Sequence, residues 1–289
     1  MAIKSYKGFD KNLRCRGFQY KIGGIYEMDG KIEMCNRGFH ACESPFDVFD
    51  YYTMIDSRFC EVEQDGNISK WDRGTKICSS KIKIKAELKL ADMINLGVEW
   101  LKEITSPEKI KTSIKDNSSG NNAQIGSSGD GAKIGSSGNN AKIGSSGDGA
   151  KIGSSGDGAK IGSSGYGAQI GSSGYDAQIG SSGNNAQIGS SGDGAQIGSS
   201  GYGAKISSSG YGAKIDSTGE DCVIMCAGIN SVAKASKGSW VTLSEWSYSE
   251  EKQRYIPICV KTEFVDGEKI KADTYYSLKG GVFVEWIND

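Results

Sequence analysis

The sequence predicts a mainly β protein: a parallel β-solenoid with an α+β domain before it and a C-terminal β-meander cap. Two observations support this prediction. An isoleucine recurs every nine residues between Asn117 and Gly219, from Ile125 to Ile215. Each copy repeats nearly the same phrase, Gly-Ser-Ser-Gly, two turn residues, then Ala-(Lys/Gln)-Ile. A fixed short period over many copies is typical of solenoids. The predicted domains are residues 1–115, 116–219 and 220–289.

One repeat can build a short strand and a turn. In Ala-(Lys/Gln)-Ile, alternation places Ala and Ile on one face and Lys or Gln on the other. Gly-Ser-Ser-Gly is turn chemistry, and its glycines exclude a helix because each weakens one by about 1 kcal/mol. Two nonapeptides would make an 18-residue coil with two facing parallel sheets. Coils stacked at about 4.8 Å give a rod of about 25 Å, stabilised by backbone bonds and serine hydroxyl ladders.

A disordered linker and a calcium-binding solenoid are the alternatives to this reading. A flexible linker needs no isoleucine in strict register. The known nine-residue calcium repeat places Asp two residues before the apolar position. Here Ala132, Ala141 and Ala150 occupy that position. The pattern therefore argues against calcium, and we predict no metal and no cofactor.

Composition and charge limit which partners and which cellular compartment can be expected. The net charge is −1, from 34 basic and 35 acidic residues. A balanced rod argues against nucleic acid as the main partner, because such binding relies on a basic face. The chain shows no apolar run of 18 residues and no leader, so we expect no membrane span. Its eight cysteines are expected to be reduced thiols in the cytoplasm.

Ordinary globular sequence precedes the repeats. Gly38 to Cys42 predicts a strand, and Ser44-Pro45 predicts a helix start with Ser44 as the N-cap. A strand is predicted from Arg58 to Glu63, ending at Asp65-Gly66. Lys81 to Leu90 alternates apolar and basic residues, as in a strand with one solvated face. Apolar residues from Met93 to Ile104 predict a helix.

Beyond Ile215 the repeat decays into larger side chains, and Trp240 to Leu243 is expected to seal the solenoid end. The remaining residues predict a meander of three strands with turns at Asp266-Gly267 and at Lys279 to Gly281.

His40 is the only histidine, and Cys35 and Cys42 lie close to it in sequence. These three residues, with Cys15 or Cys60, could supply zinc ligands. No Cys-x2-Cys pair supports zinc, and nothing marks an activated thiol for Cys–His catalysis. Inward packing on a strand explains the same spacing.

The N-terminal domain carries an order of residues that is similar to ADP-ribosyltransferases of the His-Tyr-Glu kind. The order is Tyr6-Lys7-Gly8, Gly38-Phe39-His40-Ala41, Ser44, Tyr51-Tyr52 and then Glu61 or Glu63. The resemblance implies that Tyr6 and Gly8 hold nicotinamide, that Tyr51 stacks on it and that Glu63 is catalytic. The sequence departs from the family at Lys7, where the family has an NAD-binding histidine.

A broader resemblance covers nearly the whole chain. Its motifs are Tyr6 to Phe9, Gly38 to Pro45, the Gly-Ser-Ser-Gly repeats, Ala227 to Ser231 and Val265 to Asp273. They look like a family of uncharacterised proteins of bacterial viruses and prophages. That resemblance implies a viral accessory setting in an infected host.

We therefore predict a non-enzymatic accessory protein that binds and inhibits a host protein, plausibly an antiviral defence complex such as a CRISPR effector. Exposed turn tyrosines are the predicted interface, because aromatic residues are enriched at binding hot spots. They are Tyr166, Tyr175, Tyr202 and Tyr211. The alternatives are an ADP-ribosyltransferase-like enzyme with the rod as a target-recognition arm, an ice-binding surface, or a virion fibre. Association with a second copy is a further expectation.

Overall fold

The computed structural model describes residues 2–72, 74–106 and 120–287. Two compact units divide the chain, Met1–Trp100 and Leu101–Asp289. The domain boundary predicted at residues 115–116 lies outside the described residues.

The N-terminal unit, called the head here, is built mainly from strands. Its elements are β1 (Ile3–Phe9), β2 (Arg14–Cys15), β3 (Phe18–Gln19), β4 (Ile25–Glu27), β5 (Phe39–Cys42), a 3₁₀ helix (Phe46–Asp50), β6 (Arg58–Lys70) and β7 (Lys76–Leu88). Helix α1 (Leu90–Ile104) follows and confirms the helix predicted there.

The head sheet closes on itself. β6 and β7 form a long antiparallel hairpin, β1 pairs with β6, and β5 pairs with both β1 and β7. Alternate residues of these strands share one face, so the ring encloses an apolar core. Phe9, Phe39, Val62, Ile82 and Ile84 are buried in it.

Three local predictions for the head were wrong. Ser44 does not cap a helix: the segment is a five-residue 3₁₀ helix preceded by Pro45, with no side-chain cap bond. β6 does not end at Asp65-Gly66, because Gly66 adopts φ +76° and a register shift between Asp65 and Ile68 carries the strand onward. β7 begins at Lys76 rather than at residue 81.

The solenoid strands are four residues each. They are β8 (Gln124–Ser127), β9 (Lys133–Ser136), β10 (Lys142–Ser145), β11 (Lys151–Ser154), β12 (Lys160–Ser163), β13 (Gln169–Ser172), β14 (Gln178–Ser181), β15 (Gln187–Ser190), β16 (Gln196–Ser199), β17 (Lys205–Ser208), β18 (Lys214–Ser217), β19 (Val223–Cys226) and β20 (Val232–Ala235). Even-numbered strands form the first sheet and odd-numbered strands the second sheet.

The parallel register confirms the predicted coil. Ile143 pairs with Ile161 in the first sheet, and Ile152 with Ile170 in the second, so strands in one sheet are 18 residues apart. The isoleucines from Ile143 onward and the repeat alanines from Ala141 onward are buried between the two sheets. Backbone bonds tie successive coils, as from Lys160 N to Ala141 O at 2.8 Å.

Among the described residues, the inward serines of the repeats do not form the expected hydroxyl ladder. The first serine of each pair points inward, and the Oγ atoms of residues such as Ser145, Ser163 and Ser181 have no hydrogen-bond partner. Coils about 4.8 Å apart are too distant for direct hydroxyl bonds of about 2.8 Å. Turn side chains form a ladder instead: Asp148 Oδ1 accepts the Tyr166 N–H at 2.8 Å, one coil later.

The C-terminal residues form two hairpins instead of one continuous meander. β21 (Trp240–Ser249) and β22 (Arg254–Phe264) extend the second sheet, whereas β23 (Tyr276–Lys279) and β24 (Val282–Glu285) join the first sheet beside β20. No strand covers residues 270–275, because Val265 and Ile270 turn into the solenoid core and close its end. Capping removes apolar core from water, as solenoids require.

Candidate functional sites: a head cavity and an exposed solenoid face

The head contains a cavity of about 890 Å³. Residues of β1, of β5 and of the segments from β2 to β4 line it, together with Tyr51 and Tyr52 after the 3₁₀ helix. Pockets that hold small molecules commonly have volumes of about 300–1,000 Å³. The head therefore has space for a small organic ligand.

Lys7 is the most unusual residue in the cavity wall. Its side chain is only 5% exposed, and its ammonium donates to the His40 carbonyl oxygen at 2.9 Å. Cys15 Sγ lies 3.5 Å from Nζ, and no ion pair joins Lys7 to a carboxylate among the described residues. Burial lowers the pKa of Lys7, because desolvation disfavours its charged form.

Three further cations line the same cavity: Arg16, Arg37 and Lys76. The guanidinium groups bond backbone carbonyls, as from Arg37 Nη2 to Asp29 O at 2.6 Å. Lys76 Nζ lies 4.2 Å from the centroid of the Tyr51 ring. Within the part of the chain that the structure describes, none of the three pairs with a carboxylate, and Glu27 is the only acidic lining residue. Glu27 is itself paired with Lys81 at 3.2 Å.

The positive charges around the cavity also affect the pKa of His40. Burial, together with the charges of Lys76, Lys7 and Arg16, lowers its pKa to about 4. Its ring Nε2 accepts the Cys35 N–H at 3.0 Å, so the neutral imidazole serves as an acceptor. The described residues hold no group of three His, Cys, Asp or Glu side chains placed to bind a metal ion. All eight cysteines are free thiols.

Aromatic rings form the apolar part of the cavity wall. Phe18 packs edge-on against Tyr20 and Tyr26, with ring centroids 4.8 and 5.4 Å apart. The Tyr52 ring lies so close to Gly8 that any side chain at position 8 would collide with it. Gly8 is therefore needed for the packing of Tyr52.

The residues singled out by the ADP-ribosyltransferase resemblance are separated in space. Tyr6, Gly8 and Tyr51 line the cavity, whereas Glu63 does not. The Glu63 carboxylate accepts from Lys85 Nζ at 2.7 Å on the surface of β6 and β7. Sequence reasoning missed Arg16, Arg37 and Lys76 as members of one site, because no spacing in the sequence connects them.

The second candidate site is the outer side of the second sheet, called the exposed face here. The first position of its strands carries Lys133, Lys151, Gln169, Gln187 and Lys205. The third position carries Gly135, Gly153, Gly171 and Gly189, then Ser207. Together they line an open trough of about 970 Å³ that runs along the rod. At its C-terminal end the exposed residues become apolar, with Val223, Met225 and Trp240.

Glycine in this trough is not required by the fold. A Cβ built on Gly135, Gly153 or Gly171 would meet no atom within 4 Å, and these residues do not have a positive φ. Glycine inside a strand often marks the close approach of a ligand or another backbone. The corresponding residues of the first sheet, such as Gly144 and Gly162, are buried. The two sheets therefore differ in accessibility despite their shared sequence.

The turn tyrosines border the exposed face. Tyr166 and Tyr202 lie where the chain enters the second sheet, and Tyr175 and Tyr211 lie where it leaves. All four rings are exposed.

Three of the four tyrosine hydroxyl groups are tied to the next coil. Asn185 Nδ2 donates to the Tyr166 hydroxyl at 2.8 Å, 19 residues earlier in the chain. Asn230 Nδ2 donates in the same way to the Tyr211 hydroxyl at 2.9 Å. The Tyr202 side chain forms a hydrogen bond with Asp221, which raises the pKa of Tyr202. Position 194 is a glycine, so Tyr175 has no such partner there. These bonds hold the rings in place along the rod edge.

The head matches a known protein family. Residues 3–96 match a family model described as Domain of unknown function (DUF7666), which covers every strand around the cavity. No curated protein and no solved structure matches the chain. The resemblances to viral accessory proteins and to ADP-ribosyltransferases stay predictions. No helix among the described residues is long and apolar enough to span a bilayer.

Proposed function

We propose that this protein is a non-enzymatic binding protein whose exposed face docks on another protein. In the setting implied by the viral resemblance, that partner is a host protein or an antiviral defence complex, and docking inhibits it in the cytoplasm of the infected cell. One observation carries the proposal: a row of glycines on the exposed face has neither a conformational nor a packing reason within the chain.

The chemistry of the exposed face defines the partner. Lys133, Lys151 and Lys205 project from it, and no acidic residue occupies the outward positions of the odd-numbered strands from β9 to β19. An acidic protein surface is thus complementary to the trough. Trp240 offers an aromatic anchor at one end, and its ring packs at a tilt against Phe264 with ring centroids 5.1 Å apart. Rigid aromatic side chains can anchor a partner with little loss of conformational entropy.

A blocking substitution tests this surface. Gly153→Tyr with Gly171→Tyr fills the trough, and the fold is expected to survive because the new side chains start in open space. Partners captured from host lysate by the wild-type chain are identified by mass spectrometry, purified and titrated against both forms. We expect at least a tenfold loss of affinity, about 1.4 kcal/mol. Lys11→Tyr, an exposed change on the head, serves as the matched control.

The turn tyrosines are tested in the same titration. Tyr166→Ser with Tyr202→Ser removes one border of the trough, and a loss of about tenfold is expected. With only three lysines on the face, affinity should fall shallowly with salt, unlike a nucleic-acid complex. A partner that binds the blocked variant normally but loses affinity after substitution of Lys81, Lys83 and Lys85 would place the interface on the head. Concentration-dependent dimerisation would indicate that a second copy of the chain fills the trough, and this result would also overturn the proposal.

A further inference from the structure

We propose that the head cavity binds a small organic anion that carries a planar ring. The site is independent of the exposed face and of any partner protein. Its ligand class follows from the charges, the aromatic walls and the buried lysine of the cavity.

The first step is the charge of the wall. Lys7, Arg16, Arg37 and Lys76 face one cavity, and the only acidic lining residue in the described chain, Glu27, is neutralised by Lys81. Four cations without carboxylate partners repel one another in a partly desolvated space. An anion in the cavity would relieve this repulsion, and guanidinium groups match the planar geometry of carboxylate and phosphate.

The second step is the position of Lys7. A buried ammonium is costly unless it is paired, because desolvation disfavours its charge. Here its protein partners are one carbonyl oxygen and one thiol, and aromatic rings surround it: Nζ lies 5.4 Å from the Phe9 centroid and 5.8 Å from that of Tyr20. A ligand anion would supply the missing opposite charge.

The third step is the apolar wall, which selects a ring. Phe18, Tyr20 and Tyr26 form a cluster of edge-on contacts, and Phe18 and Tyr51 are exposed. Exposed rings beside cations suit a ligand with a planar group at one end and a negative group at the other. The volume of about 890 Å³ accommodates such a molecule.

Isothermal titration calorimetry of the full chain separates the contributions of ring and charge. The probes are AMP, benzoate, adenosine and inorganic phosphate. We expect AMP or benzoate to bind at least tenfold more tightly than adenosine and phosphate, and the preferred probe identifies the anionic group as phosphate or carboxylate. Binding of adenosine equal to that of AMP would overturn the proposal, as would no binding of AMP or benzoate at millimolar concentration.

Variants locate the binding in the cavity. Lys7→Met and Lys76→Gln are each expected to weaken the preferred probe at least tenfold, whereas Lys11→Gln removes an exposed charge outside the cavity and should change nothing. Lys76 lines the cavity and is partly exposed, so its variant keeps the test decisive if Lys7→Met fails to fold. If Lys7 only supports the fold, Lys7→Met will lower the melting temperature and leave probe affinity intact. That result, with unchanged affinity in Lys76→Gln, refutes the proposal.

Discussion

Two glycines of one repeat are expected to respond oppositely to the same substitution. Gly171 lies in β13 on the exposed face, and a Cβ there would meet nothing within 4 Å. Gly174 lies in the following turn, and its Cβ would sit 2.1 Å from the carbonyl oxygen of Gly156 on the previous coil. Neither residue has a positive φ, so the two sites differ in space and not in backbone strain.

The structure sets the size of the difference. The alanine Cβ and the Gly156 oxygen would reach an ordinary contact distance only if the two coils separated locally by about 1 Å. Two bonds flank the site, Ser173 N to Ser154 O at 3.0 Å and Tyr175 N to Asp157 Oδ1 at 2.9 Å. Losing both costs about 2–3 kcal/mol. Gly171→Ala should instead stabilise by about 0.4–1 kcal/mol, because alanine restricts the unfolded chain.

Thermal melting followed by far-ultraviolet circular dichroism measures both effects. For a unit of this size, 1 kcal/mol corresponds to about 2–4 °C. Gly174→Ala should therefore melt about 5–10 °C below the wild type, and Gly171→Ala should melt slightly above it. Equal melting temperatures for the two variants would refute the packing of coil on coil, and strong destabilisation by Gly171→Ala would refute the open trough.

Two other substitutions test the core and the head. Ile170→Asp places a carboxylate at a position that is 4% exposed and should lower the free energy of unfolding by several kcal/mol. Gln169→Asp on the exposed side is the control and should have little effect. An unchanged melting temperature of Ile170→Asp would refute the solenoid core. The folded-state pKa of His40 is about 4, below its ordinary 6.5, so its contribution to stability is present above pH 6.5 and lost as the pH falls towards 4. Because His40 is partly exposed, solvent screening limits the loss to the order of 1–2 kcal/mol, and His40→Gln should remove it from urea titrations across this range. An identical pH dependence in the variant would contradict the assignment to His40.

The sequence alone determined the solenoid, because a repeat turns one local pattern into a whole architecture. The nine-residue spacing of isoleucine set the 18-residue coil and the parallel register of two sheets. The same periodicity placed Tyr166 and Tyr202 on one edge of the rod, and Tyr175 and Tyr211 on the other.

The head cavity could not be predicted in this way. Lys7, Arg16, Arg37 and Lys76 are distant in sequence and belong to different strands and loops. The closed sheet brings them together through pairings such as Tyr6 with Cys42 and Cys42 with Lys76. Long-range pairings of this kind depend on the whole core and leave no local periodicity.

The accessibility of the two solenoid sheets was also decided by the tertiary structure. Lys151 and Lys160 stand in the same phrase, Ala-Lys-Ile-Gly-Ser, yet Lys151 is exposed and Lys160 is only 4% exposed. Gly153 and Gly162 follow them with the same contrast. Identical local sequences share strand geometry and inward or outward direction, because these follow from the pattern of alternation. Burial of an outward residue depends on what packs over it, and a repeated phrase carries no information about that.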